Sequence, residues 1–137
     1  MKNLTSKLMA AALALTGVVS VASAQQLKSE IPFPFRVSGT LMPAGTYEIG
    51  ESRAGGGPIF QMLNTDVHRP VLVLPSASIS SGNHFTDTKL VFRCGGSGCA
   101  LAEIWTGKAW GAYSVRTPKE DARAELSMRT VLAERTK

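Results

Sequence analysis

A chain of 137 residues carrying a formal net charge of +5 has room for one domain and no more once a leader is removed. Its basic residues are scattered: Arg36, Arg53, Arg69, Lys89, Arg93, Lys108 and Arg116 stand alone, and only the tail gathers several. That argues against the clustered basic face a nucleic-acid binder needs, and no segment approaches the roughly 20 apolar residues of a transmembrane helix.

The N-terminus reads as a secretory leader. Met1-Lys2-Asn3 and Lys7 are followed by an apolar run from Leu8 to Ala22, then by Ala22-Ser23-Ala24, with small residues three and one positions before the expected cut. Cleavage after Ala24 leaves a single mature domain over 25–137, and losing Lys2 and Lys7 lowers the net charge from +5 to +3. No cysteine stands at the cut, so lipid anchoring there is excluded. The expected location is the periplasm or the cell exterior, where loose attraction to anionic envelope polymers stays open.

Residues Gln25 to Glu30 read as a frayed start. Ile31-Pro32-Phe33-Pro34-Phe35-Arg36-Val37 then alternates, with Ile31, Phe33, Phe35 and Val37 on one face. Its prolines delete backbone donors along one side, which predicts an edge strand or the strand that opens a barrel. Turns are expected at Ser38-Gly39-Thr40 and Met42-Pro43-Ala44-Gly45, and Thr46 to Gly50 reads as a strand with Tyr47 and Ile49 inward. Gly55-Gly56-Gly57 marks a hairpin loop. A phosphate cradle would want a helix after the glycines, whereas Ile59 to Leu63 reads as a strand. After a turn at Asn64-Thr65-Asp66, Val67 to Leu74 predicts a strand whose run Val71 to Leu74 is apolar on both faces, hence central. Ser76 to Asn83 reads as a long loop at a barrel or sandwich mouth.

Thr88 to Tyr113 organises the rest. Thr88 to Cys94 and Cys99 to Trp105 are β-rich, and Gly95-Gly96-Ser97-Gly98 between them is a turn. If Cys94 faces Cys99, an unbroken register pairs Phe92 with Leu101, Leu90 with Glu103 and Thr88 with Trp105. Leu90, Phe92, Leu101 and Trp105 then share the core face, with Glu103 as the one carboxylate among them. Two cysteines in an exported chain point to a Cys94–Cys99 disulfide. A redox pair or a zinc site is the weaker reading, because the spacing is C-x4-C and only His68 and His84 are at hand to complete a tetrahedron.

The segment 116–135 predicts a C-terminal helix. Thr117-Pro118-Lys119-Glu120 fits a cap, a first-turn proline and a glutamate three after the cap, and Ala124, Met128, Val131 and Leu132 fall on one narrow stripe.

No catalytic motif, metal set or cofactor signature stands out. Asp66, His68, His84 and Asp87 lie near expected turns, where such residues serve turn chemistry, and G-x-S-x-G is absent. Glu103 has two readings: a carboxylate at the core rim satisfied by neighbours, or one in a pocket with a raised pKa that binds ligand or acts as an acid/base. Trp105, Trp110 and Tyr113 are either core or an aromatic platform for carbohydrate or an apolar ligand.

Four stretches carry a resemblance: IPFPFRV at Ile31 to Val37, MPAGTYEI at Met42 to Ile49, KLVFRC at Lys89 to Cys94 and LAEIW at Leu101 to Trp105. The chain resembles a group of small signal-peptide-bearing β-proteins numerous in acidobacteria. The resemblance implies a fold and export and no catalytic residue. It departs from the group between Cys94 and Cys99, where a Tyr-Gly-Asp type turn is more usual.

The expected architecture is all-β and mainly antiparallel, a small barrel or sandwich of about six to eight strands with the C-terminal helix. The expected function is an exported, non-enzymatic binding or structural module of the cell envelope, its partner an envelope polymer, a small apolar ligand or a second copy. Two alternatives stand beside it: self-assembly through the Ile31 to Val37 strand, and a ligand-pocket protein or small hydrolase using Glu103 or His84.

Overall fold

The computed structural model describes residues 26–80, 87–107, 111–118 and 127–136, and the expected leader over 1–24 lies outside them. The regular structure of the described residues is twelve β-strands: β1 Gln26–Ile31, β2 Phe35–Val37, β3 Thr40–Met42, β4 Gly45–Ala54, β5 Gly57–Asn64, β6 Arg69–Val73, β7 Pro75–Ile79, β8 Thr88–Gly95, β9 Gly98–Thr106, β10 Ala112–Val115, β11 Ser127–Leu132 and β12 Glu134–Thr136. They form two sheets, ordered β12-β1-β4-β5-β6 and β11-β8-β9-β10-β7, with the β2–β3 hairpin joined to β9 through β2. Among the described residues only the β2–β9 pairing is parallel.

At both margins a bent strand carries the chain from one sheet into the other. β6 and β7 are separated by Leu74 alone, and β11 and β12 by Ala133 alone. β6 pairs with β5 while β7 pairs with β10; β11 pairs with β8 while β12 pairs with β1. Counting each bent strand as one stave, the antiparallel path passes through eight staves and returns to its start, giving a near-closed barrel. Closure removes the exposed sheet edges that invite aggregation.

Alternation decides what fills the barrel. Leu27, Ile31, Phe35, Val37, Tyr47, Ile49, Phe60, Met62, Leu90, Phe92, Leu101 and Ile104 all point inward and form one buried cluster. Phe35 sits edge-on to Tyr47 and to Phe92, with ring centroids 5.2 Å apart in each pair. A barrel of this size is filled by its own side chains. Two buried hydroxyls are tied to backbone: Ser29 Oγ donates to Leu132 O at 2.9 Å, and Thr106 Oγ1 donates to Gly111 O at 2.7 Å.

Several expectations need correction. The strand count exceeds six to eight because two staves are split at their bends and the β2–β3 hairpin is additional. The helix expected over 116–135 is absent from its described part: residues 116–118 are irregular, and Ser127–Leu132 and Glu134–Thr136 are strands. The ladder with β8 satisfies the backbone of β11, and this tertiary pairing overrides a four-residue helical stripe. Residues Gln26 to Glu30 are not frayed but lie between β12 and β4 with Leu27 and Ser29 buried. The strand expected over Ile31 to Val37 is interrupted at Pro32 to Pro34, which cannot both carry a ladder, although Ile31, Phe35 and Val37 still face inward. The run Val71 to Leu74 is not central: β6 lies at the bend, and Leu72 and Leu74 are exposed. Part of the expected mouth loop is strand β7, whose Ser76 bonds to Ser114 across the sheet.

Candidate functional site on the outer face of the second sheet

The hairpin β8–β9 holds the site, and a bulge decides which side chains it shows to solvent. Cys94 pairs with Cys99 and Phe92 with Leu101, as an unbroken register requires. Between Val91 and Phe92 the register shifts, so that Ala102 is an extra residue and Val91 pairs with Glu103, Leu90 with Ile104 and Lys89 with Trp105. The expected pairs Leu90 with Glu103 and Thr88 with Trp105 are therefore replaced. The shift puts Ile104 in the core, where it is fully buried, and turns Glu103 and Trp105 outward. A bulge that exchanges a buried carboxylate for a buried isoleucine is favourable on desolvation alone.

Once outside, Glu103 and Trp105 hold one another. Trp105 Nε1 donates to Glu103 Oε2 at 2.7 Å, and Lys89 Nζ lies 4.5 Å from the centre of the indole. The indole is thus fixed by a charge-assisted hydrogen bond along its own strand and a cation over its ring. Register extends the arrangement across the sheet: Leu132 lies beside Lys89, Lys89 beside Trp105, Trp105 beside Ala112 and Ala112 beside Ile79. At about 4.8 Å per strand this row spans roughly 19 Å. Its β11 end is Leu132, 76% exposed. On the β10 side Ala112 is 2% exposed, so the row opens to solvent from Trp105 towards β11, and a partly exposed indole held there suits stacking against a sugar ring or another extended apolar surface.

The other expected site residues fall elsewhere. Tyr113 pairs with Ile104 and packs on Phe60 with ring centroids 5.5 Å apart, so it lies on the core side and not beside Trp105. Trp110 and His84 lie outside the described residues. Cys94 and Cys99 form the disulfide, with Cα atoms 4.0 Å apart. Asp66 and His68 belong to the turn after β5: Asn64 Oδ1 accepts from the backbone N–H of Asp66 and Val67, Asp66 Oδ2 accepts from Thr46 N–H, and His68 takes φ +53°. Among the described residues no group of three or more His, Cys, Asp or Glu is placed to hold a metal, and no helix is long and apolar enough to cross a membrane. The openings on the surface were not visible in the sequence, because they are made by residues far apart in the chain. One of them, about 710 Å³, lies at the seam between β1 and β11, with Lys28, Glu30 and Glu134 on its walls.

No family model, no curated protein and no solved structure matches the chain.

Proposed function

We propose that this chain is an exported, non-enzymatic binding module of the cell envelope that holds its partner, an envelope polymer, against the row centred on Trp105. The observation that carries the reading is the outward indole clamped between Glu103 and Lys89. Three others support it. The barrel interior is occupied by its own side chains, so a partner is met from outside. A Cys94–Cys99 bond suits an oxidising compartment beyond the cytoplasm. The positive start and the Ala22-Ser23-Ala24 cut suit export.

The alternatives draw less support. Strand donation from Ile31 to Val37 would withdraw Ile31, Phe35 and Val37 from the protein's own core. A role for Glu103 in hydrolysis would compete with its bond to the indole. The test is co-sedimentation of the purified protein with insoluble cell-wall polymer. Trp105→Ala should lower retention about tenfold or more, as loss of a central aromatic anchor does, and Arg53→Gln should leave it unchanged. Equal retention of Trp105→Ala and wild type would end this reading. Intact mass of the exported fraction checks the compartment, with Gln25 expected as the first residue.

A further inference from the structure

We propose that the barrel end between the β2–β3 turn and the chain following β10 is a binding site for a small amphiphilic anion, one anionic head with a short aliphatic tail. It lies at the opposite end of β9 from Trp105 and is independent of the reading above. A cavity of about 380 Å³ opens there, within the size range of small-ligand sites. Its floor is apolar, made by the core residues Val37 and Val115 and by Leu74, the residue at the β6–β7 bend, which is 65% exposed. Its rim carries Arg36 and Arg116, neither of which has a carboxylate partner among the described residues.

Register brings in a third cation. Arg36 on β2 and Arg93 on β8 flank Ala100 of β9 from its two sides. Two strand spacings put them about 10 Å apart on the outer face. Arg93 Nη1 also donates to Thr117 Oγ1 at 3.3 Å, which ties it to the segment bearing Arg116. The same row ends in two exposed apolar side chains, Leu41 beside Arg36 and Met128 beside Arg93. The wall is built in advance: Ser38 and Gly39 take φ +50° and +72°, and Ser38 Oγ donates to Leu72 O at 2.9 Å, which pins the turn to β6. Arg36 and Arg116 at the rim, with Arg93 behind them on the sheet, repel one another until an anion enters. Guanidinium forks suit a sulfate, phosphate or carboxylate head, and the tail displaces water from Leu74.

The experiment is an amide chemical-shift titration of the purified protein with monomeric octyl sulfate, with octyl glucoside and inorganic sulfate as controls. Shifts are expected at Val37 to Gly39 and at Val115 to Thr117, with both controls bound at least about tenfold more weakly. Arg36→Gln and Arg116→Gln should each weaken octyl sulfate about tenfold, and Lys28→Gln, in the other groove, should not. Phosphatidylglycerol vesicles separate the sources of such a head. Binding of octyl sulfate alone assigns a free anion; binding of both with the same arginine dependence assigns a lipid headgroup. Octyl glucoside or inorganic sulfate bound as tightly as octyl sulfate, arginine variants with unchanged affinity, shifts confined to other residues, or binding to vesicles alone would each overturn the proposal.

Discussion

Replacing Ile104 and Trp105 by alanine, one at a time, reads out the bulge on which the outer face depends. Ile104 is fully buried against the core. Truncation removes three carbons, about 2.4 kcal/mol at about 0.8 kcal/mol per buried methylene, and the cavity left behind raises the cost to about 3 to 4 kcal/mol. Trp105 is half-buried on the outer face. Its loss removes the Lys89 contact, the bond to Glu103 and the packing of a ring that is mostly covered, about 2 to 3 kcal/mol. Urea unfolding followed by far-ultraviolet circular dichroism measures both. With a slope near 1.5 kcal/mol per molar, the midpoint falls by about 2 M or slightly more for Ile104→Ala and by about 1.5 M for Trp105→Ala, at unchanged slope. In a hairpin without the bulge the isoleucine would face solvent, and its truncation would cost less than about 1 kcal/mol. A midpoint shift below about 0.7 M for Ile104→Ala would therefore refute the register described for β8 and β9.

Further outcomes follow from single sites. Gly45 has φ +150°, and a Cβ there would stand 2.5 Å from Asp66 Oδ2 and 3.0 Å from Asn64 Nδ2. Gly45→Ala should therefore cost about 2 to 3 kcal/mol in the same assay; a neutral effect would show that the turn after β5 yields freely. Replacing both Cys94 and Cys99 by alanine opens a small ring and should cost about 2 kcal/mol, and reducing agent should then no longer shift the melting temperature. Tyr47 is fully buried, with its hydroxyl donating to Pro43 O, and burial raises its pKa above the ordinary 10.0. A phenol with a raised native pKa contributes stability that is whole below pH 10 and is lost as pH climbs through the native value. The stability of the wild type should decline above pH 10, and Tyr47→Phe should flatten that part of the profile while lowering stability at neutral pH.

What was legible in the chain followed local rules. Gly55 and Gly56, at φ +69° and +116°, close the β4–β5 hairpin where the glycine run stands, and Phe92 opposite Leu101 follows from counting outward from the cysteines. Counting failed one step later. The clue was present, since Leu101 and Ile104 are three apart and both apolar while Glu103 lies between them; a carboxylate on an otherwise apolar face marks an extra residue. The C-terminal strand was hidden for a different reason. Its inward positions hold Arg129, Val131 and Ala133, a weak alternation, and Arg129 sits over Phe33 at 4.7 Å, a contact no local pattern announces. The aromatic row and the arginine row are equally nonlocal. Each takes one residue from each of five strands, and only the register of the sheet assembles them.

Both surfaces lie on one face of one sheet, the indole row towards the Thr106 end of β9 and the arginine row towards its Cys99 end. They differ in the chemistry they admit, a stacked apolar or sugar surface at one end and an anion at the other. The measurement that bears most directly on the binding reading is chemical-shift mapping of the protein with soluble fragments of cell-wall polymer. Perturbations at the amides of Lys89, Glu103, Trp105 and Leu132, lost in Trp105→Ala, are the expected result. Perturbations centred on the inward residues Phe60, Leu90 and Ile104, with the Trp105 row silent, would contradict it and place the ligand inside the barrel.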